Sequence, residues 1–154
     1  MFTVIDNFYA DPDSVRDYAL SLEFNVSGNY PGLRTSPCTN AGGYVDSMKT
    51  SLEKIIGKTI TYFPLDNYNT SFQYTTENCN TWIHHDKMSY AGVVYLTPGA
   101  PLDSGTAIYK HRQTGIMKHE DSCPVDFNEF QLIEGDWDIV AESKNIYNRL
   151  VLHD

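Results

Sequence analysis

Basic residues are scarce in this chain: 11 Lys and Arg stand against 20 Asp and Glu, for a formal net charge of -9. Phosphate recognition needs clustered cations, so a nucleic-acid surface is not expected. Cysteine is sparse too. Cys38, Cys79 and Cys123 are odd in number and widely scattered, with no C-x-x-C pair. Neither a zinc ribbon nor a disulfide framework is indicated, and a reducing cytoplasm is the simplest compartment. No apolar run approaches transmembrane length, so no membrane partner is expected. The opening Met1-Phe2-Thr3-Val4-Ile5-Asp6 lacks the basic and long apolar regions of a signal peptide. Internal repeats, heptads and low-complexity tracts are absent. What remains is 154 residues with a hydrophobic fraction of 41%, one domain by size and large enough for a real core.

The order of local signals is helices first, then strands. Val4 to Phe8 reads as a short opening strand. Asp11 caps a helix with Pro12 at its first position, where the missing N–H costs nothing. Val15, Tyr18, Ala19 and Leu22 recur at helical spacing and predict one buried face. Residues 24–40 are rich in Gly, Pro, Ser and Asn and read as a long loop. Val45, Met48, Leu52 and Ile55 line one stripe of a second helix, which Gly57 ends. Beyond Lys58 the pattern turns to β, with strands predicted over 59–63, 70–75, 81–86, 90–96, 106–111, 137–141 and 147–153. The expected class is α+β: helical support over 1–58 and an antiparallel barrel or jelly-roll core over 59–154.

Thr81-Trp82-Ile83-His84-His85-Asp86 holds the strongest chemical signal. On a strand, alternate side chains share a face, so His84 and Asp86 project together while His85 faces away. Two His and one carboxylate on one face of an octahedron is the ligand set that suits non-haem Fe(II). The tripeptide alone fits equally well a strand histidine hydrogen-bonded to Asp86.

Its context resembles the prolyl-hydroxylase-like branch of the Fe(II)/2-oxoglutarate-dependent oxygenases. Trp82 to Asp86 is similar to that family's H-x-D motif. Ser71-Phe72-Gln73-Tyr74 precedes it where the family often places a co-substrate tyrosine. Tyr90-Ala91-Gly92-Val93-Val94-Tyr95-Leu96 resembles the apolar strand that follows. Ser104-Gly105-Thr106-Ala107-Ile108-Tyr109 resembles the next turn and strand, and Tyr147 to Leu152 the strand leading to a distal histidine. The opening residues 5–12, with Arg16 on the helix, look like small bacterial and phage members of this group. The resemblance implies a double-stranded β-helix that binds Fe(II) through His84 and Asp86 and 2-oxoglutarate with help from Tyr74 and Tyr95. It implies hydroxylation of a small molecule or a protein side chain. Retention of the Asp86 carboxylate favours this over halogenation. Aromatic core packing is an equal alternative for both tyrosines; Trp82 and Arg34 read as structural.

The resemblance also implies a second ligating His several residues beyond the strand matching 148–152, and then a basic residue for the co-substrate. The chain stops at Asp154. The favoured expectation is a C-terminally truncated chain lacking its last core strands. The alternatives are His153 as third ligand, or a degenerate relative without iron. Open sheet edges would then favour a homodimer. His111 and His119 lie in the wrong part of the chain for the distal ligand, and the region from Glu120 to Asp138 reads as a solvated connection or a substrate lid. A non-catalytic jelly-roll binding or assembly protein is the competing expectation. A cupin is the third, disfavoured because H-x-H with a nearby Glu is missing.

Overall fold

The computed structural model describes residues 1–38, 43–65, 68–79, 81–86, 88–117 and 134–154. His119, Cys123, Phe127, Phe130 and the rest of the expected lid over 120–133 lie outside the described residues. Among the described residues the class is mixed, with two α-helices and several antiparallel sheets. The chain divides into two compact units, Met1–Asp17 with Trp82–Asp154, and Tyr18–Thr81.

The first unit is organised around its last strand. β1 (Phe2–Ile5), β4 (Ala91–Val94) and β7 (Leu150–His153) form an antiparallel sheet in the order β1-β7-β4, with Val4, Val151 and Val93 in register. An unbroken Leu-Val-Leu run cannot present a polar face, so its place is the centre of a sheet covered on both sides. Val151 is 0% exposed, and Leu150 and Leu152 on the opposite face are each 2% exposed. These residues are the centre of the core. His153 shares the face of Val151 and is half-buried, flanked by Phe2 and Ala91.

A second antiparallel pair, β5 (Thr106–His111) with β6 (Trp137–Ser143), is nested in sequence between β4 and β7. A bulge shifts the register between Ile108 and Tyr109. The two corners where the chain passes between these pairs are bonded to each other: the Asn145 N–H donates to the Leu102 carbonyl at 3.1 Å, and Asn145 Nδ2 to Ser104 Oγ at 3.0 Å. Gly105 is required at this crossing, because a Cβ there would stand 1.8 Å from the Ser143 carbonyl oxygen.

The run 147–149, predicted as the start of the last strand, is a clamp instead. Asn148 has φ +61° and cannot continue a ladder. Its side-chain amide pairs with the backbone of Tyr9 in both directions, Tyr9 N–H to Oδ1 at 2.8 Å and Nδ2 to the Tyr9 carbonyl at 2.9 Å. On either side, the Tyr147 hydroxyl donates to Asp13, and Arg149 reaches both Asp6 oxygens at 2.6 and 2.9 Å. Three consecutive side chains thus tie the N-terminal segment to the head of β7.

Helix α1 (Pro12–Leu20) starts as predicted. Asp11 accepts from the Ser14 N–H at 3.1 Å and the Ser14 hydroxyl at 2.6 Å, which holds its carboxyl below the usual range. In the second unit, β2 (Leu33–Arg34) pairs with β3 (Gln73–Tyr74), and α2 (Tyr44–Ile56) ends at Gly57 with φ +72°. Arg34 lies over the Tyr30 ring at 3.8 Å and donates to Gln73 Oε1 at 2.7 Å, a structural use of its cation. The predicted strands over 59–63 and 81–86 are not strands; both segments run without a ladder.

Candidate metal and co-substrate site

Residues 81–86 run without a pairing partner, yet their burial follows the expected alternation. Ile83 is buried and His85 half-buried, while His84 and Asp86 are both exposed. The His84 ring is oriented by its own chain: Nδ1 lies 3.0 Å from the Trp82 carbonyl oxygen. A carbonyl only accepts, so Nδ1 is the donor of this bond, and in the neutral form of such a ring the lone pair lies on Nε2. A ring held this way presents its other nitrogen outward, where a cation could take it. The Trp82 ring sits 6.3 Å from the imidazole. Asp86 makes no hydrogen bond to the described residues, so its carboxylate is open to a cation.

His153 is the third group that the fold brings to this place. Burial pushes its imidazole pKa down, Asp86 pulls it up, and His84 and the N-terminal ammonium push it down further. His153, the alternative third ligand, thus lies within electrostatic reach of His84 and Asp86. Among the described residues, no three His, Cys, Asp or Glu side chains converge on a metal position. The donor types of His84 and Asp86 fit Fe(II), and the third position is not closed by the described residues.

The tyrosines part company. Tyr95 follows β4 and is 9% exposed, with its hydroxyl 2.5 Å from Thr106 Oγ1. Burial raises its phenol pKa; hydrogen bonding from the Thr106 side chain and backbone, and the Arg149 cation, act the other way. Tyr74 belongs to the other compact unit, is 56% exposed, and packs edge-on against Phe24 at 6.1 Å. His111 serves its hairpin, with Nδ1 2.8 Å from Thr114 Oγ1 and the ring edge-on to Trp137 at 5.0 Å.

Sequence reasoning missed Thr106 and the 147–149 clamp. Thr106 reads as an ordinary β-former, and no local pattern reveals that it meets a tyrosine eleven residues earlier. Asn148 had a faint signal, since Asn tolerates the left-handed region better than the residues around it.

No helix among the described residues is long and apolar enough to cross a membrane. No curated protein and no solved structure matches the chain. A family match does exist over residues 1–124, a span that takes in Tyr74, His84, Asp86, Tyr95 and Thr106 and stops short of β6 and β7. By that match the chain belongs to DUF6445, a family of unknown function.

Proposed function

We propose that this chain is an Fe(II)- and 2-oxoglutarate-dependent oxygenase with a jelly-roll core, hydroxylating a small molecule or a protein side chain. The observation that carries the reading is the 3.0 Å contact between His84 Nδ1 and the Trp82 carbonyl oxygen. Donation from Nδ1 to the Trp82 carbonyl leaves Nε2 as a free ligand atom two residues from an open carboxylate. The strand pairing is compatible with it: β5–β6 nested inside β4–β7, in separate sheets, is how a folded double hairpin makes a jelly roll.

In this reading His84 Nε2 and Asp86 hold the metal, and His153 is the candidate third ligand within these residues. When bound, iron and 2-oxoglutarate would supply the oxidising chemistry with dioxygen as the oxidant, one oxygen atom going to succinate and the other to the substrate. The chain's own work is positional. Trp82 fixes the His84 ring through its carbonyl, and the buried Tyr95 hydroxyl offers a hydrogen bond to the co-substrate carboxylate. The free thiols of Cys38 and Cys79 suit a reducing, cytoplasmic setting.

A second reading, a non-catalytic jelly-roll binding or assembly protein, draws on the lack of a converged three-ligand cluster among the described residues. Anaerobic Fe(II) titration with and without 2-oxoglutarate separates the two. The oxygenase reading expects about one tightly bound metal and a weak visible charge-transfer band that disappears in a His84→Ala/Asp86→Ala variant. A chain that binds no iron is a fragment or a degenerate scaffold and not an assembled oxygenase site.

A further inference from the structure

Helix α1 ends without a basic residue in its last turn, so its own side chains leave the negative end of its dipole uncompensated. The chain turns there, with the Ser21 N–H donating to the Tyr18 carbonyl and the Leu22 N–H to the Ala19 carbonyl, each at 3.1 Å. Beside this turn lies a cleft of about 260 Å³, lined by residues between Tyr18 and Asn25 on one side and by Thr35 to Cys38 on the other. The second wall is buried and firmly held. The Thr35 hydroxyl donates to the Ser36 carbonyl at 2.9 Å and accepts from the Phe72 N–H at 3.1 Å. The Cys38 N–H donates to Thr70 Oγ1 at 3.1 Å.

Glu23 carries the one formal charge among the described side chains that line the cleft. Burial pushes the Cys38 thiol pKa up, so the wall facing Glu23 stays neutral. The Asn25 amide donates to Glu23 Oε2 at 3.1 Å and steadies the carboxylate. A carboxylate has about four acceptor sites, which leaves room for a second donor. Tyr18 contributes a ring, whose face attracts cations. Leu22 and Pro37 add apolar surface suited to a short aliphatic stem.

We propose that this cleft binds a primary ammonium group on an aliphatic stem, with Glu23 as its counter-ion and the Tyr18 ring against the cation. An anion would meet the Glu23 charge and the negative helix end together, and a wholly apolar ligand would leave the carboxylate unused. All of these residues belong to the unit Tyr18–Thr81, and nothing in the assignment depends on a metal at His84 and Asp86.

The test titrates n-butylammonium chloride into the full 15N-labelled chain at constant ionic strength, with n-butanol as the neutral counterpart. Wild type is compared with Glu23→Gln; Glu23 is exposed, so the two urea midpoints should agree. The expected result is saturable amide shifts confined to residues 18–25 and 33–38, none of them produced by butanol. Glu23→Gln should bind roughly tenfold more weakly, as befits the loss of one charge-assisted hydrogen bond. A second arm uses the peptide acetyl-Gly-Lys-Gly-amide. If it shifts the same amides, the cleft takes the ammonium of a lysine side chain; if butylammonium alone does so, the cleft takes a free amine. No shift with either amine, equal shifts with butanol, or equal affinity in Glu23→Gln overturns the assignment.

Discussion

Asn148 is the residue whose loss tests the architecture most directly. It is buried and left-handed, and it pairs with both backbone groups of Tyr9 through its side chain. Its own backbone adds two more links, Phe8 N–H to its carbonyl at 3.0 Å and its N–H to the Tyr95 carbonyl at 2.8 Å. Asn148→Ala removes the two side-chain bonds, each worth about 1 kcal/mol net. It also places a Cβ residue without a compensating polar group in the left-handed region, at about 1 kcal/mol more. The expected loss is about 3 kcal/mol, a large part of the roughly 5–15 kcal/mol that holds a domain together. Asn148→Gly separates the two causes, since it loses the same bonds but is at ease at φ +61°. It should cost about 2 kcal/mol, so that Gly is the milder change by about 1 kcal/mol. Urea unfolding of wild type and both variants measures this, provided the m-values agree. Equal losses in Ala and Gly would refute the conformational argument, and two midpoints within error of wild type would refute the clamp.

Three further outcomes follow from the same geometry. Gly105→Ala should prevent β5–β6 from closing at Ser143, because the added methyl meets backbone rather than a movable side chain; limited proteolysis that cuts wild type and variant at the same rate would contradict this. Asp11 has its folded carboxyl pKa held down by Ser14, so its contribution is present above about pH 4 and lost as pH falls through the lowered value. Asp11→Asn should therefore flatten the acid limb of a stability–pH curve, and an unchanged slope would sink the assignment. The outer strands Phe2–Ile5 and Ala91–Val94 carry no charge and no proline, the usual guards of a sheet edge. We expect reversible pairing with a second copy in sedimentation equilibrium, and a strict monomer at high concentration would count against it.

Local chemistry accounts for what the sequence revealed and what it hid. Helix α1 was legible because Asp11 and Pro12 act on their own neighbours, and the end of α2 because Gly57 takes a conformation other residues resist. β5 matched its predicted span because Gly105 ends the approach and Thr106 to His111 favours strand. Residues 59–63 have the same β-forming composition without a partner strand, and β preference is realised only against a neighbour. The head of the last strand was misjudged because tertiary bonds to Tyr9, Asp13 and Asp6 hold 147–149 out of the ladder. The candidate ligands His84 and Asp86 were visible as a motif. Which nitrogen of His84 stays free was not, since it depends on where the Trp82 carbonyl points.

The clamp and the candidate site meet in β7 and Tyr95, and this decides how the functional test is read. Tyr95 is bonded through its backbone to Asn148 and Arg149, at 2.8 and 3.0 Å, so changes in the clamp reach the phenol and the strand carrying His153 together. Loss of metal or co-substrate binding in an Asn148 variant would thus say nothing about ligands. His84 and Asp86 differ. Both are exposed and lie in a segment without a ladder, and the one hydrogen bond of the His84 ring is local. Surface changes of this kind leave stability nearly unchanged. His84→Ala/Asp86→Ala should keep the wild-type urea midpoint while abolishing the Fe(II) signal. If the midpoint falls by as much as in Asn148→Ala, the two side chains are structural and the motif is not a metal site. If it holds and the signal vanishes, the loss belongs to the ligands themselves.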